Sequence, residues 1–157
     1  MTEAGDSDEA LMARYARGEP AAFALLYRRH ELRVWHYLER NVGNRALAED
    51  LLQEVWFAVA REAPGYRPTA RFTTWLFTIA HHRVIDAIRA RREHLSLESM
   101  GYEASGTAAG PLAEAVAREQ ASALARALSE LPPEQRDAFL LQMEGAFSIE
   151  EIAAVTG

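Results

Sequence analysis

Between Phe72 and Arg92 the chain reads FTTWLFTIAHHRVIDAIRARR, three aromatic rings (Phe72, Trp75, Phe77) followed by a segment ending in Arg89, Arg91 and Arg92. An aromatic face can take up an unstacked base and a guanidinium can neutralise a phosphate. One short element therefore carries the chemistry for holding and opening nucleic acid. Just upstream, Pro64-Gly65-Tyr66-Arg67-Pro68 and then Arg71 set a ring and two cations in or beside a turn-rich loop, where backbone and rings are accessible. His81 and His82 add groups suited to base edges or phosphate. A plainer reading accounts for part of this segment. Phe72, Trp75, Leu76 and Ile79 follow the spacing of a core stripe, and the terminal arginines complement a helix dipole.

A second constellation is AEDLLQEVW, Ala48 to Trp56, with Phe57 after it. Asp50, Gln53, Glu54 and Phe57 fall on one helix face. That face is either a solvated polar surface or, with Trp56 and Phe57 as aromatic anchors, a docking surface with a polar rim. His82 and Asp86, four residues apart, share a helix face in the manner of metal ligands, but two ligands from one helix leave a site incomplete. Asp86 pairs more naturally with Arg83 or Arg89. No GxSxG, P-loop, HExxH or GxGxxG motif is present, and the acids are scattered over helical polar faces, so enzymatic chemistry, metal and cofactor are not expected.

The elements that must position these groups are helical. Of 157 residues 49% are hydrophobic, enough for a packed core, and no cysteine is present, which excludes disulfides and fits a reducing compartment. β-branched residues are sparse and nothing alternates convincingly, so the pattern predicts an all-α chain. Helices are expected over Asp8–Ala16, about Glu19–Val42, Arg45–Glu62 and about Ala70–Glu93. From Ser96 to Gly110 the composition turns to Gly and Ser, as in a linker. Helices near Leu112–Glu130, Pro133–Glu144 and Ser148–Val155 then suggest a smaller module, with Leu131, Phe139, Leu140, Met143, Ile149, Ile152 and Val155 as its core. Ser148-Ile-Glu-Glu151 has capping-box spacing. Two small helical domains on a flexible linker are expected, at 1–94, 95–111 and 112–157.

Charge is divided along the chain. All 17 basic residues are Arg, and the net charge is −6. Residues 66–94 hold six Arg against two acids, a net +4, whereas residues 95–157 hold three Arg against ten acids, a net −7. A basic island between acidic flanks points to an anionic partner at one place and a different partner elsewhere. No run approaches the ~20 apolar residues that span a bilayer, and the acidic N-terminus lacks signal-peptide blocks, so a cytoplasmic protein without membrane insertion is expected.

With AEDLLQEVWFAV, FTTWLFTIAHHRVIDAIRARR and LPPEQRDAFLLQMEGAFSIEEIAAVTG in this order, the chain from about Ala22 to Gly157 resembles the extracytoplasmic-function (ECF) group of bacterial RNA polymerase sigma factors. The resemblance implies two helical domains, no catalysis and no cofactor. It implies that Asp50, Gln53 and Glu54, with Trp56 and Phe57 beside them, meet the clamp helices of the polymerase largest subunit. Trp56 stands where the family usually has Phe. The loop Tyr66–Arg71, including Arg67, would hold a base flipped from the non-template strand of the −10 element. The helix from Phe72 to Arg92 would read and melt that element through Trp75, His81, His82, Arg83, Asp86, Arg89 and Arg92; many relatives have Asn in place of His82. The second domain would sit on the flap of the second subunit and read the −35 element. An anti-sigma factor is the implied regulator.

The sequence stops at Gly157 in the turn of the helix-turn-helix unit, so the resemblance implies an incomplete second domain that lacks its recognition helix and is not expected to read a −35 element sequence-specifically, with Ile149, Ile152 and Val155 left partly unburied or covered by a neighbour. The alternative functional reading is a sigma mimic that sequesters an anti-sigma factor without engaging polymerase. A metal enzyme resting on His81, His82 and Asp86 is a third.

Overall fold

The computed structural model describes residues 5–94 and 111–157, so most of the expected linker lies outside the described residues. Among the described residues seven α-helices follow in chain order: α1 Asp8–Ala16, α2 Pro20–Val42, α3 Arg45–Glu62, α4 Phe72–Glu93, α5 Pro111–Glu130, α6 Pro133–Gly145 and α7 Ile149–Thr156. A short 3-10 turn, Ala63–Gly65, leads into the loop before α4.

Local chemistry fixes the helix ends. Ser7, Asn44 and Ser148 each accept a bond from a first-turn amide, at 3.1, 2.9 and 3.2 Å, and so satisfy donors that the helix itself leaves open. Pro20 and Pro133 open α2 and α6, where the missing N–H costs nothing. Gly43 closes α2 at φ 64°, a left-handed conformation cheap only for glycine, and its N–H donates to the Glu39 carbonyl at 2.7 Å. Ala146 takes φ 55° after α6 without that freedom, and a side chain at neighbouring Gly145 would collide with the Phe147 ring. This corner is built so that Phe147 folds back under α6.

α2 is the central helix, packed against α1, α3, α4 and α6. Leu26, Val34, Tyr37 and Leu38 on α2 meet Leu11 and Met12 on α1, Val55 and Val59 on α3, and Phe72, Leu76 and Phe77 on α4. The two expected helical units, α1–α4 and α5–α7, pack against each other rather than standing apart. Leu128, Leu140, Leu141, Phe147 and Val155 join the same apolar cluster, with Phe77 edge-on to both Tyr37 (5.4 Å) and Phe147 (5.2 Å). Such ring pairs add about 0.5–1.5 kcal/mol beyond the area they bury. Helix α7 takes its cover from α4: Val155 is buried and Ile152 half-buried, whereas Ile149 stays 81% exposed. Among the described residues no helix is long and apolar enough to cross a membrane.

Candidate nucleic-acid and protein interfaces

On α3 the 3.6-residue period separates two faces. Ala48, Leu51, Val55, Ala58 and Val59 point inward, whereas Asp50, Gln53, Glu54 and Phe57 are exposed together, Phe57 at 70%. An exposed ring of that size beside three polar groups suits a partner surface rather than water. Trp56 is not part of the exposed set. It is buried edge-on against Phe23 and Tyr27 at 5.9 and 5.1 Å, so its expected contact with a partner is corrected to a supporting one. With Tyr15, Phe23, Tyr27, Leu52, Gln53 and Phe57 it lines a mainly apolar groove of about 480 Å³.

Helix α4 is divided in the same way. Arg71, His82, Asp86, Arg89 and Arg92 are exposed, with Trp75 half-buried among them and Arg83 at the edge. The opposite face, Phe72, Leu76, Phe77, Ala80, His81 and Val84, is buried. Two residues expected to touch DNA therefore do not face solvent. Phe72 is fully buried and forms the floor of an aromatic cluster, 5.9 Å from Trp75, 6.3 Å from Tyr66 and 5.6 Å from His30. His81 turns into the interface with α6, where its Nδ1 donates to Asp137 Oδ2 at 2.7 Å. Since His82 and Asp86 point outward, these three side chains do not converge. No group of three or more potential metal ligands occurs among the described residues.

The loop before α4 presents Arg67 and Arg71 to solvent and holds Tyr66 half-buried, its ring 5.0 Å from Trp75. The Tyr66 hydroxyl is buried without a hydrogen-bond partner among the described residues. Burial, then the charges of Glu9 and Asp8, push its pKa up to about 12. Arg91 is not one of the outward cations. Its Nη1 donates to the Val42 carbonyl at 2.7 Å, closing the C-terminus of α2, and burial lowers its pKa. Its heptad register with Phe77 and Val84, both buried, is the sequence signal for that inward direction.

The two faces meet. Glu54 of α3 lies 3.9 Å from Arg83 of α4, across a groove of about 600 Å³ whose lining includes Phe57, Arg61 and Asp86. The exposed aromatic and polar face of α3 and the cationic face of α4 are thus neighbouring surfaces.

The C-terminal helices lie against this pair through polar contacts that the sequence did not reveal. Asp137, 2% exposed, accepts bonds from Tyr37 and His81, with the Asn41 amide at 3.5 Å. Burial first, then the Asp137 charge, drives the Tyr37 hydroxyl well above the ordinary tyrosine range. Arg33 donates to the Glu144 and Gly145 carbonyls, both at 3.1 Å, and Arg40 pairs with Glu144. At the rim, Arg71 pairs with Glu151 at 3.4 Å. The capping-box acid of α7 therefore turns its carboxylate to the residue that precedes α4.

Comparison with known proteins follows the same division. A family model of sigma-70 region 2 matches residues 26–94, and one of sigma-70 region 4 matches residues 121–157. The chain is 39% identical to the RNA polymerase sigma factor CarQ of Myxococcus xanthus, over 93% of this chain and 83% of CarQ. It is 34% identical to the ECF RNA polymerase sigma factor SigM of Mycobacterium tuberculosis, over 96% of this chain and 74% of SigM. Among solved structures it is similar to CnrH in complex with the cytosolic domain of CnrY, with a TM-score of 0.72, 25% identity, and coverage of 97% of this chain and 84% of that one. With both sigma regions matched in order and relatives aligned along nearly its whole length, the chain belongs to the extracytoplasmic-function sigma factors of bacterial RNA polymerase.

Proposed function

We propose that the exposed face of α3 binds core RNA polymerase while the loop 66–71 and the outer face of α4 capture and open the promoter −10 element. The observation that carries this reading is the junction at Glu54 and Arg83, where an aromatic-anchored docking face abuts a cationic stripe. Asp50, Gln53, Glu54 and Phe57 are the polymerase contacts. Arg67, Arg71, Arg89 and Arg92 attract the DNA backbone, Tyr66 and Trp75 offer rings to an unstacked base, and His82, Arg83 and Asp86 lie nearest the base edges. Opening each base-pair step costs about 1–2 kcal/mol, and a base stacked on a ring returns about 1–3 kcal/mol, so two captured bases suffice to nucleate opening. No covalent chemistry is involved. The region 4 helices take the polymerase flap.

The protein acts in the cytoplasm and is held in check by a regulatory protein of the anti-sigma kind. The solved complex of the relative CnrH with CnrY supports that partner class.

The test is affinity for core polymerase, followed by core-dependent transcription. Gln53→Ala and Phe57→Ala should each weaken core binding about tenfold, as removal of an interface anchor does, without lowering the unfolding midpoint. A chain that captures an anti-sigma domain but no polymerase would instead establish the sequestering module.

A further inference from the structure

The first turn of α1 lies outside the matched region 2 segment, which begins at residue 26, yet it grips the start of α4. An α-helix begins with four N–H groups that it cannot satisfy itself. At α4 the residue before the helix, Arg71, offers no capping acceptor. The Phe72 N–H donates instead to Glu9 Oε1 at 2.8 Å, a carboxylate arriving from 63 residues upstream. A negative charge there also complements the positive end of the α4 dipole.

Glu9 is itself held in place. Neighbouring Asp8 accepts from His30 Nε2 at 2.9 Å and from Arg29 Nη1 at 3.1 Å, and Arg29 also donates to the Asp6 carbonyl at 2.8 Å. The His30 ring lies 5.6 Å from Phe72. α1, α2 and the start of α4 are therefore tied at one point, one residue from Arg71 and beside the Tyr66–Trp75 ring pair. The direction in which the loop 66–71 leaves α4 is set there.

We propose that Glu9 is a positioning residue for strand opening: its carboxylate fixes the first turn of α4, and through it the base-capture loop, without touching DNA. This rests on the functional reading above.

The test compares wild type, Glu9→Ala and Glu9→Gln, since the glutamine amide oxygen still accepts. Hydrogen exchange at the Phe72 amide of the free chain reads the bond directly. It should accelerate about fivefold to tenfold in Glu9→Ala, as loss of a capping acceptor does, and stay within twofold in Glu9→Gln. Strand opening is read by permanganate reactivity of thymines on a promoter fragment that wild-type holoenzyme selects from a randomised pool. It should fall about tenfold in Glu9→Ala and be retained in Glu9→Gln, with affinity for core polymerase unchanged in both. An unchanged Phe72 amide, full opening by Glu9→Ala, or a parallel fall in core affinity and opening would each overturn the proposal. Failure of the wild-type chain itself to bind core would overturn the functional reading and the proposal together, an outcome separable from the others.

Discussion

The Tyr37 hydroxyl on α2 donates to the carboxylate of Asp137 on α6, two buried groups 100 residues apart in the chain. Asp137 also receives His81 of α4 at 2.7 Å, so a single acid joins three helices and both sigma regions. A carboxylate this deep is tolerated because each oxygen has a donor; a lost partner would leave the remaining groups stranded.

Replacing that acid should therefore cost more than a surface charge would. Asp137→Ala leaves the Tyr37 and His81 donors unsatisfied in the interior and should destabilise the folded chain by about 3 kcal/mol in urea unfolding. Asp137→Asn, whose amide still accepts from Tyr37, should cost about 1 kcal/mol. Equal losses for the two would show that the carboxylate is not the hub.

Arginines on opposite sides of α4 should behave differently. Arg89→Ala and Arg92→Ala should each reduce the slope of log affinity against log salt by about 0.7–0.9, one phosphate contact apiece, with little change in stability. Arg91→Ala should leave that slope unaltered and destabilise the fold by about 1.5 kcal/mol, since it removes the bond to the Val42 carbonyl. The measurement is DNA binding by holoenzyme across a salt series, paired with denaturant unfolding.

Two groups near the loop should make stability depend on pH at opposite extremes. Burial opposes ionisation of Asp8, but the bonds and charges of His30 and Arg29 outweigh it and lower its pKa below 3.8. Its contribution is present above that ordinary value and is lost as pH falls through the lowered one. Tyr66 runs the other way. Its phenol keeps its proton in the folded state up to about pH 12, whereas the unfolded chain releases it near 10.0, so folding weakens as pH rises between those values. Unfolding midpoints across pH should show both limbs, with Asp8→Asn reducing the acid one and Tyr66→Phe the alkaline one.

Helix positions were legible in the sequence because caps and periodicity are local signals. Arg45–Glu62 matches the expected span, and Ser148 opens α7 as its capping spacing indicated. The exposed set Asp50, Gln53, Glu54 and Phe57 follows from the same period. What escaped was orientation decided by distant elements. Phe72 and His81 carry groups that suit DNA, yet the first is buried beneath Tyr66 and Trp75 and the second is claimed by an acid on α6. The core-stripe spacing of α4 allowed for the first, but no spacing within α4 announces the second. Glu9 is a similar case: nothing in the sequence of α1 says that its carboxylate completes the start of a helix 63 residues later. The continuous core has the same origin, since a Gly- and Ser-rich segment permits two modules to separate but does not say whether their apolar faces match.

The rim pair of Arg71 and Glu151 differs in kind from the buried hub. Its side chains are 65% and 31% exposed, so it contributes less than about 1 kcal/mol and is screened by salt. On the function proposed above, Glu151 is a placeholder for a nucleotide's anionic oxygen, seated on Arg71 at small cost. An arriving promoter would then have only a weakly held rival to displace.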